Sequence, residues 1–432
     1  MNRLFYSDLV KWMKSPRRKP LLVRGARQVG KTYLIKEFGS REFKNIVFID
    51  FERSPELKKI FIDKRDPVEI VREIELVKNV RIVAGETLLF LDELQECPDA
   101  IISMRYFYEE MPKLHVIGAG SLLEFAFSSI SVPVGRIQTL QMYPLTFHEF
   151  LLATGNTRLA ALLNEGSKAV SDTVHEKFLQ LLRTYFIVGG MPESVKVFAE
   201  TSSLKEATDV LSDLVNTYRL DFSKYTPSVD KTCLDHVFSS CAAKVGAQTK
   251  YASLTDNFSN PTIKKAYHSL TLSKVIAQVK SVNPPVIPFD ASASDKIFKT
   301  ILLDVGIMNF LSGMPVMREY LKEDVSSFYR GAIAEQFVGQ ELMASMGHVY
   351  YWSRNEKSST AEVDYLIQND GKIFPVEVKS SDTGRFVSLK MFLDMFKSEE
   401  GYVLSARKYS VSSQGKIKFI PLYFAGHLIS KK

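Results

Sequence analysis

The chain reads as an α/β protein on three observations. Short apolar runs recur at residues 21–23, 46–51, 87–91 and 114–118, segments of helical periodicity lie between them, and a second strand-and-helix region follows a long helical stretch. Strands buried on both faces appear as continuous apolar runs, so the first region is expected to hold a parallel sheet covered by helices.

At the start, Leu4, Phe5, Leu9, Trp12 and Met13 fall at helical spacing, and Pro16 and Pro20 end that helix before the run at 21–23. Residues 1–145 are expected to form one layered domain. From 146 to about 225 the pattern is mostly helical, broken by Gly189, Gly190, Met191 and Pro192, and 146–228 reads as a helical lid. Residues 229–318 give three short helical segments, an extended stretch with Asn283, Pro284, Pro285 and Pro288, and an apolar run at 301–303, the order of a winged helix. The last domain, 325–432, opens with a helix at 330–343 and continues through strands near His348, Val363 and Val376. There is no internal repeat or low-complexity tract.

A length of 432 residues suits two to four domains of roughly 100–200 residues each. With 45% hydrophobic and 24% charged residues the composition is that of a globular protein, which excludes disordered and collagen-like classes. Cys97, Cys233 and Cys241 are too few and too scattered for a disulfide framework or a four-ligand zinc site, and a cytoplasmic, reducing location is expected. The first segment carries charges within its first turns, and no stretch approaches the ~18 consecutive apolar residues of a membrane span, so no membrane partner is expected. A net charge of +7 permits an anionic partner such as DNA, although such an excess is commonly only a solvated surface.

The string GARQVGKT, comprising Gly25, Ala26, Arg27, Gln28, Val29, Gly30, Lys31 and Thr32, fits the phosphate-loop pattern. Its glycines let backbone N–H groups curl around phosphate oxygens at a helix N-terminus, here the helix beginning in YLIKEF. Lys31 would reach the β and γ phosphates, and Thr32 would place its hydroxyl on Mg²⁺. In LLFLDE an apolar strand delivers Asp92 and Glu93 to the carboxyl edge of the sheet. Asp92 would hold Mg²⁺ and Glu93 would orient and deprotonate the attacking water, a sufficient set for phosphoryl transfer. Ser121 ends the next strand, where it could sense the γ-phosphate or could simply close a turn. Arg136 could bring positive charge to the transition state, in cis or across a subunit boundary, or lie on the surface. The only string near a guanine-selective Asn-Lys-x-Asp is Asp63-Lys64-Arg65-Asp66, which starts with Asp and precedes the acid-ending strand, so ATP is favoured over GTP.

On GARQVGKT, LLFLDELQ, VGRIQTLQMYPLTFHEF at 134–150, VGGMPESV at 188–195, EVDYLI and PVEVKS, the chain resembles bacterial and archaeal AAA-like P-loop ATPases, kin to the signal-transducing P-loop ATPases. Members carry a C-terminal restriction-endonuclease-like region, and the resemblance spans nearly the whole chain. It implies an ATP-driven switch and leaves the biological substrate open. The full expectation is therefore a P-loop NTPase parallel sheet with a helical lid, a winged-helix module and a C-terminal restriction-endonuclease-like α/β domain.

In a winged helix the third helix enters the major groove. Here that is 261–275, where Lys264, Lys265 and His268 could meet phosphates while Ile263, Ala266, Tyr267 and Leu270 face the core. The same lysines would equally be solvated if the module only packs. Near the C-terminus, Glu377 and Lys379 at i and i+2 share a strand face, Asp364 on a neighbouring strand could join them, and Glu335 lies on an amphipathic helix. The arrangement looks like the PD-(D/E)xK nuclease pattern, and the four residues are expected to converge and to bind Mg²⁺ or Mn²⁺. Three functions remain open: an ATPase switch coupled to DNA binding or processing, an ATP-gated signalling or interaction protein that cleaves nothing, and a nuclease loaded by the ATPase. A homo-oligomer is compatible with each.

Overall fold

The computed structural model describes residues 3–63, 65–127, 135–225, 229–313, 327–356, 359–379, 386–412 and 415–428. The boundaries expected at 228, 318 and 325 lie outside the described residues, as do Lys64 and Val134. The chain divides into two units, Met1–Tyr143 and Pro144–Lys432. No helix among the described residues is long and apolar enough to cross a membrane.

In the first unit β1 (Leu21–Arg24), β2 (Asn45–Asp50), β3 (Thr87–Asp92), β4 (His115–Gly120) and β5 (Gln138–Gln141) form a five-stranded sheet in the order β2-β3-β4-β1-β5. All its pairings are parallel. Parallel neighbours need crossovers. After α1 (Leu4–Lys14), these are α2 (Lys31–Glu42), α3 (Lys58–Asp63) with α4 (Pro67–Lys78), α5 (Pro98–Glu110) and α6 (Leu123–Phe127). β3 is buried along its whole length, as its unbroken apolar run requires. Each fully buried Leu or Phe there contributes about 1.5–3 kcal/mol of transfer free energy. α4 shows the local logic of the helices. The Asp66 side chain accepts the Val68 N–H at 2.8 Å, Pro67 opens the first turn, and Ile70, Val71 and Ile74 form a stripe packed into the core with Leu89 and Leu91.

The second unit combines helices with a mixed eight-stranded sheet. Its helices are α7 (Phe147–Ala153), α8 (Thr157–Asn164), α9 (Asp172–Val188), α10 (Pro192–Thr201), α11 (Leu204–Tyr225), α12 (Lys231–Ala243), α13 (Asn260–Leu272), α14 (Val305–Leu311), α15 (Ser327–Met346) and α16 (Val387–Phe396). Its strands are β6 (Ile276–Val282), β7 (Ala293–Leu302), β8 (Tyr350–Glu356), β9 (Ser359–Asn369), β10 (Lys372–Val378), β11 (Gly401–Ser405), β12 (Ser410–Val411) and β13 (Ile417–Pro421), in the order β12-β13-β11-β10-β9-β8-β6-β7.

The helices of the stretch expected as a lid pack within the second unit. Tyr185 of α9 meets Phe337 of α15 edge-on at 5.9 Å, the Gly190 N–H donates to Asp304 at 2.6 Å, and the Phe147 N–H donates to Glu341 at 2.8 Å. The glycine pair in VGGMPESV thus brings backbone against a buried carboxylate. In the stretch read as a winged helix, α12, a 3-10 turn at Tyr251–Ser253 and α13 precede the β6–β7 hairpin. That hairpin is not free, because β6 pairs antiparallel with β7 and parallel with β8. β6 and β7 therefore share one sheet with β8 to β13.

Candidate functional site

β1 ends at Arg24, and the chain turns directly into the loop at 25–32, at the carboxyl edge of the sheet. Gly25 has φ of +154°, and a Cβ there would lie 2.5 Å from the Met142 carbonyl oxygen beyond β5, so only glycine lets the loop pass. Gly30 caps α2, whose first N–H groups have no partners within the helix and face the loop. Arg3 anchors the turn by donating to the Val29 carbonyl at 3.1 Å and the Tyr143 carbonyl at 2.6 Å.

Lys31 is buried, and its ammonium donates to the carbonyl oxygens of Gly25 at 2.9 Å and Ala26 at 2.7 Å. Burial pulls its pKa down to about 8, with Glu93 and Asp92 opposing. The Thr32 hydroxyl donates to Asp92 Oδ2 at 2.6 Å, and Asp92 Oδ1 accepts the Glu93 N–H at 3.0 Å. Burial pushes the Asp92 carboxyl up to about 6, opposed by the Thr32 hydrogen bond. β1 and β3 are not neighbours, because β4 lies between them. Two strand spacings put the ends of β1 and β3 roughly 10 Å apart, and the loop crosses that gap to bring Thr32 onto Asp92. Ser121, at the end of β4, is buried in that interval and accepts from Arg27 Nε at 3.4 Å. The residues fit a nucleotide with Mg²⁺: N–H groups and an ammonium for phosphates, and a hydroxyl and carboxylate already facing each other as hard oxygen ligands.

In the second unit, Tyr365 pairs with Val376 across β9 and β10, which sets Asp364 opposite Glu377. Asp364 Oδ2 accepts the Val378 N–H at 2.8 Å, and Lys379 Nζ lies 2.6 Å from Glu377 Oε1. Between Asp364 and Glu335 stands a residue not anticipated from sequence. Lys299 of β7 places Nζ 2.7 Å from Glu335 Oε1 and 3.1 Å from Asp364 Oδ1, and pairs with Glu362 as well. Burial alone would lower its pKa, but the carboxylates of Glu335, Asp364 and Glu362 outweigh this and hold it well above its ordinary value. Burial raises Glu335 against the opposing Lys299, and raises Glu377 with Asp364 adding. Among the described residues no group of three or more His, Cys, Asp or Glu side chains is arranged to hold a metal ion. The structure thus brings Glu335, Asp364, Glu377 and Lys379 into one cluster, with the Lys299 ammonium standing between Glu335 and Asp364.

Residues 17–151 match the family described as AAA domain. The first unit carries an AAA-like P-loop domain. Beyond the AAA-like domain, residues 179–318 and 330–425 match two domains of unknown function, DUF8612 and DUF4143. Comparison with curated proteins gives no match. Among solved structures, the chain is similar to the Walker-type ATPase paby2304 of Pyrococcus abyssi at 14% identity and a TM-score of 0.46, covering 72% of this chain and 95% of that one. It is also similar to the Aeropyrum pernix ORC1 protein in complex with DNA at 11% identity and a TM-score of 0.29, over 73% and 92% of the two chains. AMPPCP-bound DnaA from Aquifex aeolicus is similar at 12% identity and a TM-score of 0.29, over 62% and 88%.

Within the AAA-like domain Arg136 does not reach the phosphate loop of its own chain. Gln138 pairs with Leu21, so Arg136 precedes β5 at the amino edge of the sheet, whereas the loop leaves the opposite edge. The length of β1 at ~3.3 Å per residue separates the two. Its guanidinium instead donates to Glu109 at 2.8 Å, which also holds Arg105 at 3.1 Å. One residue was missed: the Gln95 amide donates to Glu93 Oε2 at 2.5 Å and fixes the carboxylate. The signal was its place two residues after Glu93, where a short turn brings it back.

Proposed function

We propose that the AAA-like domain binds ATP with Mg²⁺ and hydrolyses it, and that the chain is a nucleotide-driven switch coupled to DNA binding. The observation that carries this reading is the 2.6 Å contact of Thr32 with Asp92, with Glu93 the next residue along. Thr32 and Asp92 would hold Mg²⁺, Lys31 would turn from the carbonyls of its own loop to the phosphates, and Ser121 would sense the γ-phosphate. Glu93 takes the proton of the attacking water at its carboxylate, where it lies beside Asp92 and is oriented by Gln95. The deciding experiment is ATP turnover with and without duplex, single-stranded and branched DNA. Absence of turnover under every condition rejects hydrolysis, and turnover indifferent to every DNA rejects coupling.

Gln95→Ala is expected to lower kcat about tenfold with ATP affinity unchanged, as for loss of a group that orients a reacting side chain. Steady-state turnover beside a nucleotide titration checks this, and equal losses in both would make Gln95 a structural residue.

The DNA reading is supported by α13. Lys264, Lys265 and His268 are exposed on one side while Ile263, Ala266, Tyr267 and Leu270 are buried on the other. Lys264→Ala with Lys265→Ala is expected to weaken DNA binding and to reduce the salt slope by up to about two. An unaltered slope in a salt-series titration would assign these lysines to solvent. The second reading, an ATP-gated interaction protein, is favoured by one observation: β6 gives both edges to other strands, which leaves the hairpin less able to act as a free wing on a phosphate backbone.

A further inference from the structure

The acidic cluster of the second unit is built around a cation that belongs to the protein. An ammonium has three donors, and Lys299 spends them on Glu335, Glu362 and Asp364. Its side chain is 1% exposed and its ammonium lies 5.4 Å from the Tyr351 ring. β7 is held in place beside it, since Gln336 both accepts from the Leu302 N–H and donates to the Leu302 carbonyl, each at 2.8 Å. Lys299 therefore has no solvent to swing into.

We propose that Lys299 occupies the place of a divalent cation, so that the Glu335–Asp364–Glu377 cluster is a metal-free, non-cleaving centre that ties β7 to β9 and α15. A magnesium ion binds carboxylate oxygens at about 2.0–2.1 Å, whereas these oxygens stand at 2.7 and 3.1 Å from nitrogen. A metal ion at these oxygens would have to displace the Lys299 ammonium, which already stands at hydrogen-bond distance from Glu335 and Asp364. The remaining oxygens are largely taken: Asp364 Oδ2 by the Val378 N–H and Glu377 Oε1 by Lys379. Within this cluster Glu377 Oε2 is buried without a hydrogen-bond partner, and one oxygen does not make a metal site. The lysine comes from the region matching one family and the acids from the region matching another, so neither region alone displays the arrangement.

The test uses Mn²⁺ alone, followed by electron paramagnetic resonance on the nucleotide-free full chain, with Asp92→Asn present throughout to remove the phosphate-loop ligand. The expected result is that this parent and its Asp364→Asn derivative bind the same amount of Mn²⁺. Lys299→Met is expected to gain one further equivalent, which Asp364→Asn then removes. An equivalent in the parent that disappears with Asp364→Asn overturns the proposal, as does a folded Lys299→Met protein that gains none. If Lys299→Met does not fold, the comparison of the parent with Asp364→Asn decides: equal binding upholds the proposal and a loss overturns it.

Discussion

Lys31→Ala is expected to abolish ATP binding, lowering affinity by at least about 100-fold. Its ammonium makes two hydrogen bonds to the loop carbonyls of Gly25 and Ala26 and lies near Asp92 and Glu93. With nucleotide bound, those donors would turn to phosphate oxygens, where a charge-assisted hydrogen bond contributes about 1.5–3 kcal/mol, and two of them exceed a hundredfold. The fold should survive, because burial already works against this ammonium in the free protein. A nucleotide titration with a parallel thermal melt separates the two effects. Unchanged affinity in a folded variant would remove the phosphate-loop assignment.

Glu93→Gln is expected to keep nucleotide binding and lose roughly two or more orders of magnitude in turnover, the range for loss of a general base. The substitution keeps the shape of the side chain and an oxygen that can still accept from Gln95, so the turn after β3 has no cause to move. What disappears is the carboxylate proposed to take the proton of the attacking water. Steady-state turnover beside a binding measurement checks the prediction. Wild-type turnover would place the base on another residue.

The parts of this molecule legible in its sequence are those set by near neighbours. Runs such as LLFL become strands because both faces are covered, and the phosphate loop can be read because its glycines, lysine and threonine act within one turn of chain. The convergence of Glu377 with Lys379 was equally visible, since i and i+2 share a strand face. What could not be read was set by strand order and edges. Nothing local says that β4 inserts between β1 and β3, or that Arg136 starts its strand at the edge away from the loop. Periodicity reports the face a residue takes but not which strand lies at its edge, so the shared sheet was hidden. Lys299, in the stretch Phe298, Lys299, Thr300, looks like an ordinary strand lysine, and only the packing of α15 and β9 against β7 shows that it is enclosed by acids.

Because β6 gives one edge to β7 and the other to β8, the polypeptide has no clean seam between its two last matched regions. A fragment starting after β7 would carry β8 with a bare row of N–H and C=O groups, the kind of edge that recruits other chains into aggregates. It would also hold Glu335, Glu362 and Asp364 without their counter-charge, and loss of one partner from a buried ion pair costs about 3–5 kcal/mol. Dissection, domain swapping between relatives and limited proteolysis all meet the same constraint, since the halves of this sheet fold and fail together.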